Sequence, residues 1–216
     1  MNLESCSLTK LSIRKKEWRE KTMKTIFKVL LCVCALSVSG AGAVHAGASE
    51  GADNASFVEA LTYFRAKDYA RAVELMAPLV LKKDPRALSV MGSMYANGEG
   101  VKKNITEAIR LYKTAAELGY ARGAFNLGSL YYKGIEVNKS YDLAIKYYSE
   151  AAALKDGEAQ YNLGLMIAKG EGTPKNNVNA YRFFRAAESN GISQGKAAAE
   201  ILMKEMTLSE ISEARK

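Results

Sequence analysis

The sequence predicts an all-α fold, a solenoid of stacked helical hairpins that begins near residue 56. An internal period of 36 residues runs through three units without a gap. Within each unit, apolar residues recur at the i, i+3, i+4, i+7 spacing of a helix face. No segment alternates apolar and polar residues as a half-buried strand does. Because one such unit cannot bury its own apolar face, neighbouring units must stack, and stacked units form a solenoid.

The 36-residue period is visible as columns of identical or chemically similar residues. It covers glycines, alanines, aliphatic residues and aromatic residues alike. The columns are Gly92, Gly128 and Gly164; Met91, Leu127 and Leu163; Gly98, Gly134 and Gly170; Ala108, Ala144 and Ala180; Tyr112, Tyr148 and Phe184; and Ala115, Ala151 and Ala187. Six columns at one fixed spacing define three repeats, which we place at residues 84–119, 120–155 and 156–191.

Residues 1–46 are predicted to be a signal peptide. A basic flank at residues 23–28 is followed by the apolar run from Val29 to Val38, and small residues lead to Ala46. This order is typical of a secretory leader, and we expect cleavage after Ala46 or Ala48. A membrane span needs about 20 apolar residues, which this run does not provide. Residues 1–22, before Met23, are an over-called start or a long leader flank, and residues 47–55 are predicted to be a small-residue linker.

The leader accounts for most of the positive charge. The whole chain has a formal net charge of +8, but residues 47–216 contain 23 Lys or Arg and 20 Asp or Glu, which is a net charge of +3. That balance gives no reason to expect nucleic acid binding. Residues 47–216 also contain no Cys and no His. Disulfides, Cys/His metal sites, Cys nucleophiles and His-based triads are therefore excluded from the mature chain.

The array is predicted to begin with a capping hairpin at residues 56–83. Its two helices lie between Phe57 and Leu81, and the short turn Ala66-Lys67-Asp68 joins them. Ala72 lies 36 residues before Ala108, so the second helix of this hairpin is in register with the repeats.

Each repeat is predicted to contain two helices, A and B, and the second repeat shows why. Helix A runs from Arg122 to Lys133, and Gly134 then ends it in a left-handed conformation. Gly128 lies in the middle of this helix, where glycine costs about 1 kcal/mol relative to alanine. Its recurrence at Gly92 and Gly164 predicts that two helices cross closely at this point, where a side chain would separate them.

Helix B of each repeat is predicted to start after a residue that caps it. Asn104, Ser140 and Asn176 lie 36 residues apart, and their side chains can accept bonds from the free amides of the first turn. Glu107 follows Asn104 at the spacing of a capping box. The apolar side of the second helix B is predicted to contain Leu143, Ala144, Tyr147, Tyr148 and Ala151.

Residues 192–216 are predicted to cap the array at its C-terminal end. A helix at residues 194–206 should place Ala198, Ile201 and Leu202 inward, with Lys196, Glu200 and Lys204 outward. Thr207 to Lys216 is predicted to be a short, frayed helix.

The repeated columns resemble the Sel-one-like repeat (SLR) family, which is related to tetratricopeptide repeats. The resemblance rests on Ala159-Gln160-Tyr161-Asn162-Leu163-Gly164 with Gly172, and on the segment from Ala108 to Gly119, and it covers residues 84–191. The first hairpin is closer to a tetratricopeptide unit. Ile167, Glu188 and Lys155 depart from the family pattern. Exported relatives that carry a Cys pair in each repeat are sometimes assigned β-lactamase or penicillin-binding activity; this chain lacks those Cys residues, so that activity is not carried over.

The resemblance implies a right-handed solenoid and an exported bacterial scaffold that binds another protein or a peptide. In tetratricopeptide-like hairpins helix A lines the concave face, so the partner-binding residues are expected on helix A. The candidates are Arg86, Ser89, Ser93, Asn97, Arg122, Phe125, Ser129, Tyr132, Lys133, Glu158, Tyr161 and Lys169. Tyr132 is the candidate that packing explains least, because its column otherwise holds Ala96 and Ala168. For any single candidate, an ordinary solvated face with Phe125 and Tyr161 packed between repeats is an equally good interpretation.

Two further functions remain open at this point. One is a cell-envelope enzyme or regulator that acts on peptidoglycan, and the other is a secreted factor that binds a host protein. The preferred interpretation is a periplasmic or secreted monomer that is not an enzyme. It has no cofactor and no metal, does not bind nucleic acid, and has no stable membrane insertion after signal cleavage. An enzyme would show a cleft with two acidic groups, or a Ser near a Lys, with perturbed pKa values.

Overall fold

The computed structural model describes the backbone of residues 46–216 and the side chains of residues 52–216; the predicted signal peptide lies almost entirely outside these residues. The described part contains ten α-helices and no strand. They are α1 (Ala46–Arg65), α2 (Tyr69–Leu81), α3 (Pro85–Asn97), α4 (Ile105–Glu117), α5 (Ala121–Lys133), α6 (Tyr141–Ala153), α7 (Gly157–Lys169), α8 (Asn177–Ser189), α9 (Ser193–Met203) and α10 (Leu208–Ala214). The seven helices from α2 to α8 each have 13 residues.

The helices form a linear stack of antiparallel hairpins. In the repeats α3, α5 and α7 are the A helices and α4, α6 and α8 are the B helices. From α2 to α9 each helix packs against the next in the chain, and α3 also contacts α5. The core is accordingly a series of apolar clusters along the stack, each shared by neighbouring hairpins. The all-α repeat solenoid predicted from the period is confirmed.

The B helices begin at the residues that the sequence indicates. The side chains of Asn104, Ser140 and Asn176 accept hydrogen bonds from the backbone amides three residues later, at 3.1, 3.3 and 2.9 Å. Each satisfies one of the first-turn amides, which have no partner inside the helix. The capping box predicted at Asn104 is only half formed, because the Glu107 carboxylate pairs with Arg110 instead.

The A helices end at the predicted glycines. Gly98, Gly134 and Gly170 have φ of 76°, 67° and 73°, which is the left-handed region. The chain then returns toward the helix it has just left. The backbone amides of the three capping residues of the B helices donate to backbone carbonyls near the end of the preceding A helix. This bond fixes the loop between helix A and helix B, which we call the A–B loop, in the same form in every repeat.

The glycines inside the A helices receive aromatic rings from the B helices. A Cβ atom on Gly92, Gly128 or Gly164 would lie 2.6, 2.6 or 2.7 Å from the nearest ring carbon of Tyr112, Tyr148 or Phe184. Contacts that short do not occur, so any larger residue would push the two helices apart. The close crossing predicted at Gly128 is confirmed, and the group that requires it is the ring at the equivalent position of helix B.

Three predictions about individual segments differ from the structure. Residues 47–55 are helical and belong to α1, so the predicted linker is wrong; although Gly and Asn within this segment have low helix propensity, the helix continues into Phe57 and Ala60, which pack in the core. Leu143 is 36% exposed, since it lies in the first turn of α6 beside its outer face. Ile201 is 62% exposed because α9 is the last A-type helix, and no further B helix of full length covers it.

The C-terminal end is more ordered than predicted. Thr207 and Glu210 form a complete capping box at the start of α10. This short helix packs against α8 and buries Ala214. Glu200 stands in the column of the ring-accepting glycines and is exposed, so α9 does not receive a ring as the A helices of the three repeats do.

Candidate functional site

The twelve candidate residues all lie on or at the ends of the A helices, and their exposure differs widely. Asn97, Lys133, Glu158 and Lys169 are exposed, and Ser89 is buried with 2% exposure. The remaining seven are half-buried: Arg86, Ser93, Arg122, Phe125, Ser129, Tyr132 and Tyr161. Exposure alone therefore removes Ser89 from the predicted binding surface.

All three candidate serines form hydrogen bonds with other side chains within the stack. The Tyr112 hydroxyl donates to Ser93 Oγ at 3.0 Å, and the Ser129 and Tyr148 hydroxyls are 3.1 Å apart. The Asn126 side chain donates to the buried Ser89 Oγ at 3.2 Å. Buried polar groups need such partners because an unpaired one costs about 1–3 kcal/mol. These serines are explained by packing, and the prediction that Ser89 is an accessible binding residue is wrong.

The two candidate arginines join neighbouring hairpins. Arg86 pairs with Asp84 at 2.7 Å and reaches Asn54 of α1 at 2.7 Å, and its guanidinium lies 4.5 Å from the centroid of the Phe57 ring. Burial raises the pKa of Asp84, but hydrogen bonds from Arg86 and from two backbone amides outweigh it, and the net pKa is lowered. Asp84 is therefore an ionised helix cap and an ion-pair partner.

Arg122 lies at the equivalent position one repeat later, but it connects to the repeat that follows it rather than to the hairpin before it. Its guanidinium bonds Glu158 at 2.7 Å and lies 3.5 Å from Asp156, and it covers the Phe125 ring at 4.8 Å from the centroid. Arg122 and Glu158 are 36 residues apart, so the bond spans one repeat of the stack. At this exposure such a pair contributes at most about 1 kcal/mol. The side chains of Arg122 and Glu158 remain accessible to solvent in this ion pair.

Tyr132 is explained by packing, contrary to the expectation from its column. Its hydroxyl donates to Glu171 at 3.0 Å, and its ring lies 5.8 Å from that of Tyr141 and 6.5 Å from that of Tyr148. Burial, together with the bond to the Glu171 carboxylate, raises the pKa of Tyr132 to about 12. The side chain thus ties α5 to the A–B loop of the next repeat. No local pattern in the sequence indicates this bond, because Tyr132 and Glu171 are 39 residues apart.

What remains of the predicted surface is an aromatic column with lysines beside it. Phe125 and Tyr161 occupy equivalent positions, where the first repeat has Ser89. Their rings lie 5.8 Å from Tyr148 and 5.6 Å from Phe184, respectively, and both side chains are half-buried. Lys133 and Lys169 follow at the C-terminal ends of the same helices and are exposed.

The features that would indicate an enzyme are weak in the described residues. A shallow cavity of about 420 Å³ is lined by Lys175, Asn176, Asn177, Val178, Glu210 and Glu213. It contains two carboxylates, but Glu210 is the glutamate of the capping box that starts α10. The bonds from Thr207 lower the pKa of Glu210, which keeps it ionised. Both carboxylates with a shifted pKa in the described chain, Asp84 and Glu210, are shifted downward, which is the opposite of a general acid.

One further column of the period was not among the predicted site residues. Lys67, Lys103, Lys139 and Lys175 lie 36 residues apart, and all four are exposed. Each directly precedes the capping residue of a B helix. Because the capping residues had already been aligned, comparison of the adjacent position would have shown this column.

Comparison with known proteins identifies the family. The Sel1 repeat family model matches residues 85–120, 121–156 and 157–192, each one residue after the boundaries placed from the sequence. These three matches account for half of the chain.

The chain belongs to the Sel1 repeat family. Sel1 repeat proteins are generally non-catalytic scaffolds that bind protein partners. The resemblance found from the repeated columns is therefore confirmed.

Two solved Sel1 repeat structures are similar to the chain. A Sel1 repeat protein from Oxalobacter formigenes is 32% identical over 67% of this chain, with a TM-score of 0.62. The protein c5321, a protective antigen of uropathogenic Escherichia coli with an SLR fold, is 29% identical over 70% of this chain, with a TM-score of 0.61. This chain spans 60% of the first structure and 33% of the second. No curated protein is significantly similar to it. Among the described helices, none combines the length and apolar character that crossing a membrane requires.

Proposed function

We propose that the protein is an exported, monomeric scaffold that binds another protein or a peptide through the A-helix face of its repeats. Membership of the Sel1 repeat family supports the protein-binding role. The signal-like sequence at residues 1–46, which ends at Ala46 after a short apolar run, supports export to the periplasm or the medium.

The observation that carries the choice of face is the aromatic column at Phe125 and Tyr161. The glycine column that receives a ring is the same in all three repeats. The aromatic column changes from Ser89 to Phe125 to Tyr161, so the fold does not require an aromatic ring at this position. Half-buried aromatic rings are effective anchors for a partner, because they are rigid and present a large apolar area. Arg122 and Glu158 place charge beside Phe125, and Lys133 and Lys169 lie at the C-terminal ends of the same helices.

Photo-crosslinking from single positions tests the face. A benzoylphenylalanine residue replaces Phe125 or Tyr161 in the full chain, which is produced in its native host and irradiated. The matched controls carry the same residue at Lys113 or Ser149, which are exposed on B helices. We expect a discrete adduct from the two A-helix positions only. Identical adducts from the B-helix positions, or no adduct from Phe125 and Tyr161, would contradict the proposed face.

Export and processing have a separate test. We expect the protein recovered from the cell envelope or the medium to start at Gly47 or Ser49, as read by N-terminal sequencing. Recovery of the protein only from the cytoplasm, with its first 46 residues intact, would rule out the exported scaffold while leaving the binding face open.

A further inference from the structure

The A–B loops and the α1–α2 turn all lie at the end of the stack where the B helices begin, and this end carries an uneven share of the charge. The loops and the turn contain five Lys and four Asp or Glu, and the last residues of α1, α5 and α7 add Arg65, Lys133 and Lys169, so these segments together have a net charge of +4. Residues 47–216 as a whole have a net charge of +3, so everything outside these segments has a net charge of −1. Positive charge is concentrated along one edge of the solenoid.

The centre of this edge is the column of Lys67, Lys103, Lys139 and Lys175, which we call the lysine edge. The last three are held in the same way, because the backbone folds each against the C′ glycine of its own loop. A Cβ atom on Gly98, Gly134 or Gly170 would lie 3.2, 2.8 or 3.7 Å from the lysine Cβ. Each lysine also stands beside the N-terminus of a B helix, whose dipole adds partial positive charge there.

The contacts of these lysines keep them on the edge and leave them exposed. Lys139 lies 4.4 Å from the centroid of the Tyr141 ring and 5.7 Å from that of Tyr132, which leaves its charge uncancelled. Lys175 is 4.0 Å from Glu205, and both side chains are more than half exposed. Lys103 pairs with Glu136 of the next loop, and both of these side chains are also close to half exposed.

The acidic groups of the same loops are engaged with the protein itself. Glu171 accepts a hydrogen bond from the Tyr132 hydroxyl, and Glu99 accepts one from the Tyr69 hydroxyl at 3.2 Å. Glu136 forms an ion pair with Lys103. These glutamates lie between the lysines along the chain, so the edge presents spaced positive charges rather than a continuous basic surface. A duplex or a lipid bilayer presents closely spaced phosphates, which these glutamates would repel. An acidic peptide with carboxylates at intervals would avoid them.

We propose that the lysine edge binds an extended acidic peptide segment of a partner protein, with carboxylates at every third residue. Packed helices lie about 8–10 Å apart, α3 contacts α5 directly, and Lys103 reaches Glu136 of the next loop, so we take about 8–10 Å as the interval between neighbouring loop lysines. A polyproline II segment has three residues per turn and rises about 3.1 Å per residue. Every third side chain therefore points the same way at intervals of about 9 Å, which agrees with that interval. This surface is distinct from the A-helix face and extends the proposed function to a second contact.

A direct binding measurement tests the proposal. The probe is a fluorescent peptide with glutamate at every third position, separated by proline and serine. The comparison probe has the same composition with its glutamates adjacent to one another. The edge variant is Lys103→Gln, Lys139→Gln, Lys175→Gln. The matched control is Arg110→Gln, Lys146→Gln, Arg182→Gln, which removes the same charge from an exposed basic column with the same 36-residue period on the B helices.

We expect the spaced peptide to bind the full chain at low ionic strength and to bind about tenfold more weakly to the edge variant. The control variant should bind the spaced peptide within about twofold of the unmutated protein.

The proposal is overturned by any of three results: equal losses in both variants, equal binding of the two peptides, or tighter binding of single-stranded DNA or phosphatidylglycerol vesicles than of the spaced peptide. If thermal melting shows that the edge variant is unfolded, the single variants Lys139→Gln and Lys175→Gln take its place. Crosslinks from Phe125 and Tyr161 should persist in the edge variant, so the two surfaces can fail independently.

Discussion

The first two repeats and the third place an aromatic ring on the same glycine but finish the contact with different chemistry. In the first two, the ring belongs to a tyrosine whose hydroxyl bonds a serine of helix A, Ser93 or Ser129. In the third, Phe184 has no hydroxyl, and Leu165 replaces the serine. Both members of the hydroxyl pair are replaced in the third repeat, whereas the glycine is retained in all three repeats. The fold thus requires the close approach of helix A and helix B at the glycine. The rest of that contact can be either a Tyr–Ser hydrogen bond or an apolar Phe–Leu pair.

The A–B loops show a second contrast between repeats. A Cβ on Gly100 would lie 2.7 Å from the carbonyl oxygen of Tyr69, and one on Gly172 would lie 2.6 Å from the Cβ of Tyr141. The middle loop has Glu136 at this position, with φ of 56°, and the residue in the tyrosine column is Ile105. The loop glycine therefore accompanies a tyrosine at the start of the preceding B helix and is absent where that tyrosine is absent.

The largest expected effect comes from filling the shared glycine column. Gly128→Leu should lower the free energy of unfolding by about 3 kcal/mol or more, because the new side chain must displace the Tyr148 ring. Gly92→Leu and Gly164→Leu should cost a similar amount, whichever ring they meet. Urea denaturation measures all three. Ala153→Leu, on the exposed side of α6, is the control and should change stability by less than about 0.5 kcal/mol. A Gly128→Leu protein as stable as the control would show that the crossing is not constrained.

Exchanging the loop residues tests the second contrast. Gly172→Glu should destabilise the protein by about 2–3 kcal/mol, because it combines a left-handed backbone with a clash against Tyr141. The reverse change, Glu136→Gly, relieves the backbone but loses an exposed ion pair and adds freedom to the unfolded chain, so its net effect should stay within about 1 kcal/mol. Equal costs for the two changes in urea denaturation would remove the link between this glycine and Tyr141.

The difference between the second and third repeats can be tested by making the third resemble the second. Phe184→Tyr introduces a hydroxyl next to Leu165 and should cost about 1–2 kcal/mol, since the new group has no partner. Adding Leu165→Ser supplies that partner. The two changes together should therefore cost less than the sum of the single changes, by about 1 kcal/mol. Strict additivity in the thermodynamic cycle would mean that the hydroxyl pair of the first two repeats contributes nothing specific.

Features within one helix or loop could be predicted from the sequence, and contacts between repeats could not. Asn104, Ser140, Asn176 and Gly134 act on backbone groups a few residues away, so residue type and spacing identify their roles. Tyr132 was expected to face away from the stack because its partner, Glu171, is 39 residues distant. The bond between Arg122 and Glu158 likewise appears only when one repeat is placed on the next. The binding candidates were taken from helical position alone, and seven of the twelve prove half-buried for this reason.

The smallest expected effect concerns the Tyr132–Glu171 bond, which the first repeat cannot form because it has Ala96 at the equivalent position. The pKa of Tyr132 is about 12 against an ordinary value of 10.0, so the folded protein holds this proton more tightly than the unfolded chain does. The resulting stability is fully present below about pH 10 and is lost as the pH rises toward 12. Tyr132→Phe should therefore make the fall in unfolding free energy shallower between about pH 10 and about pH 12, as measured by urea denaturation. Burial also raises the pKa of Tyr95, Tyr112 and Tyr148, so part of the fall should persist.

Glu171→Gln keeps the Tyr132 ring, removes the negative charge beside its hydroxyl and should give an intermediate slope of unfolding free energy against pH. An unchanged slope in Tyr132→Phe would mean that the bond does not distinguish the folded from the unfolded state.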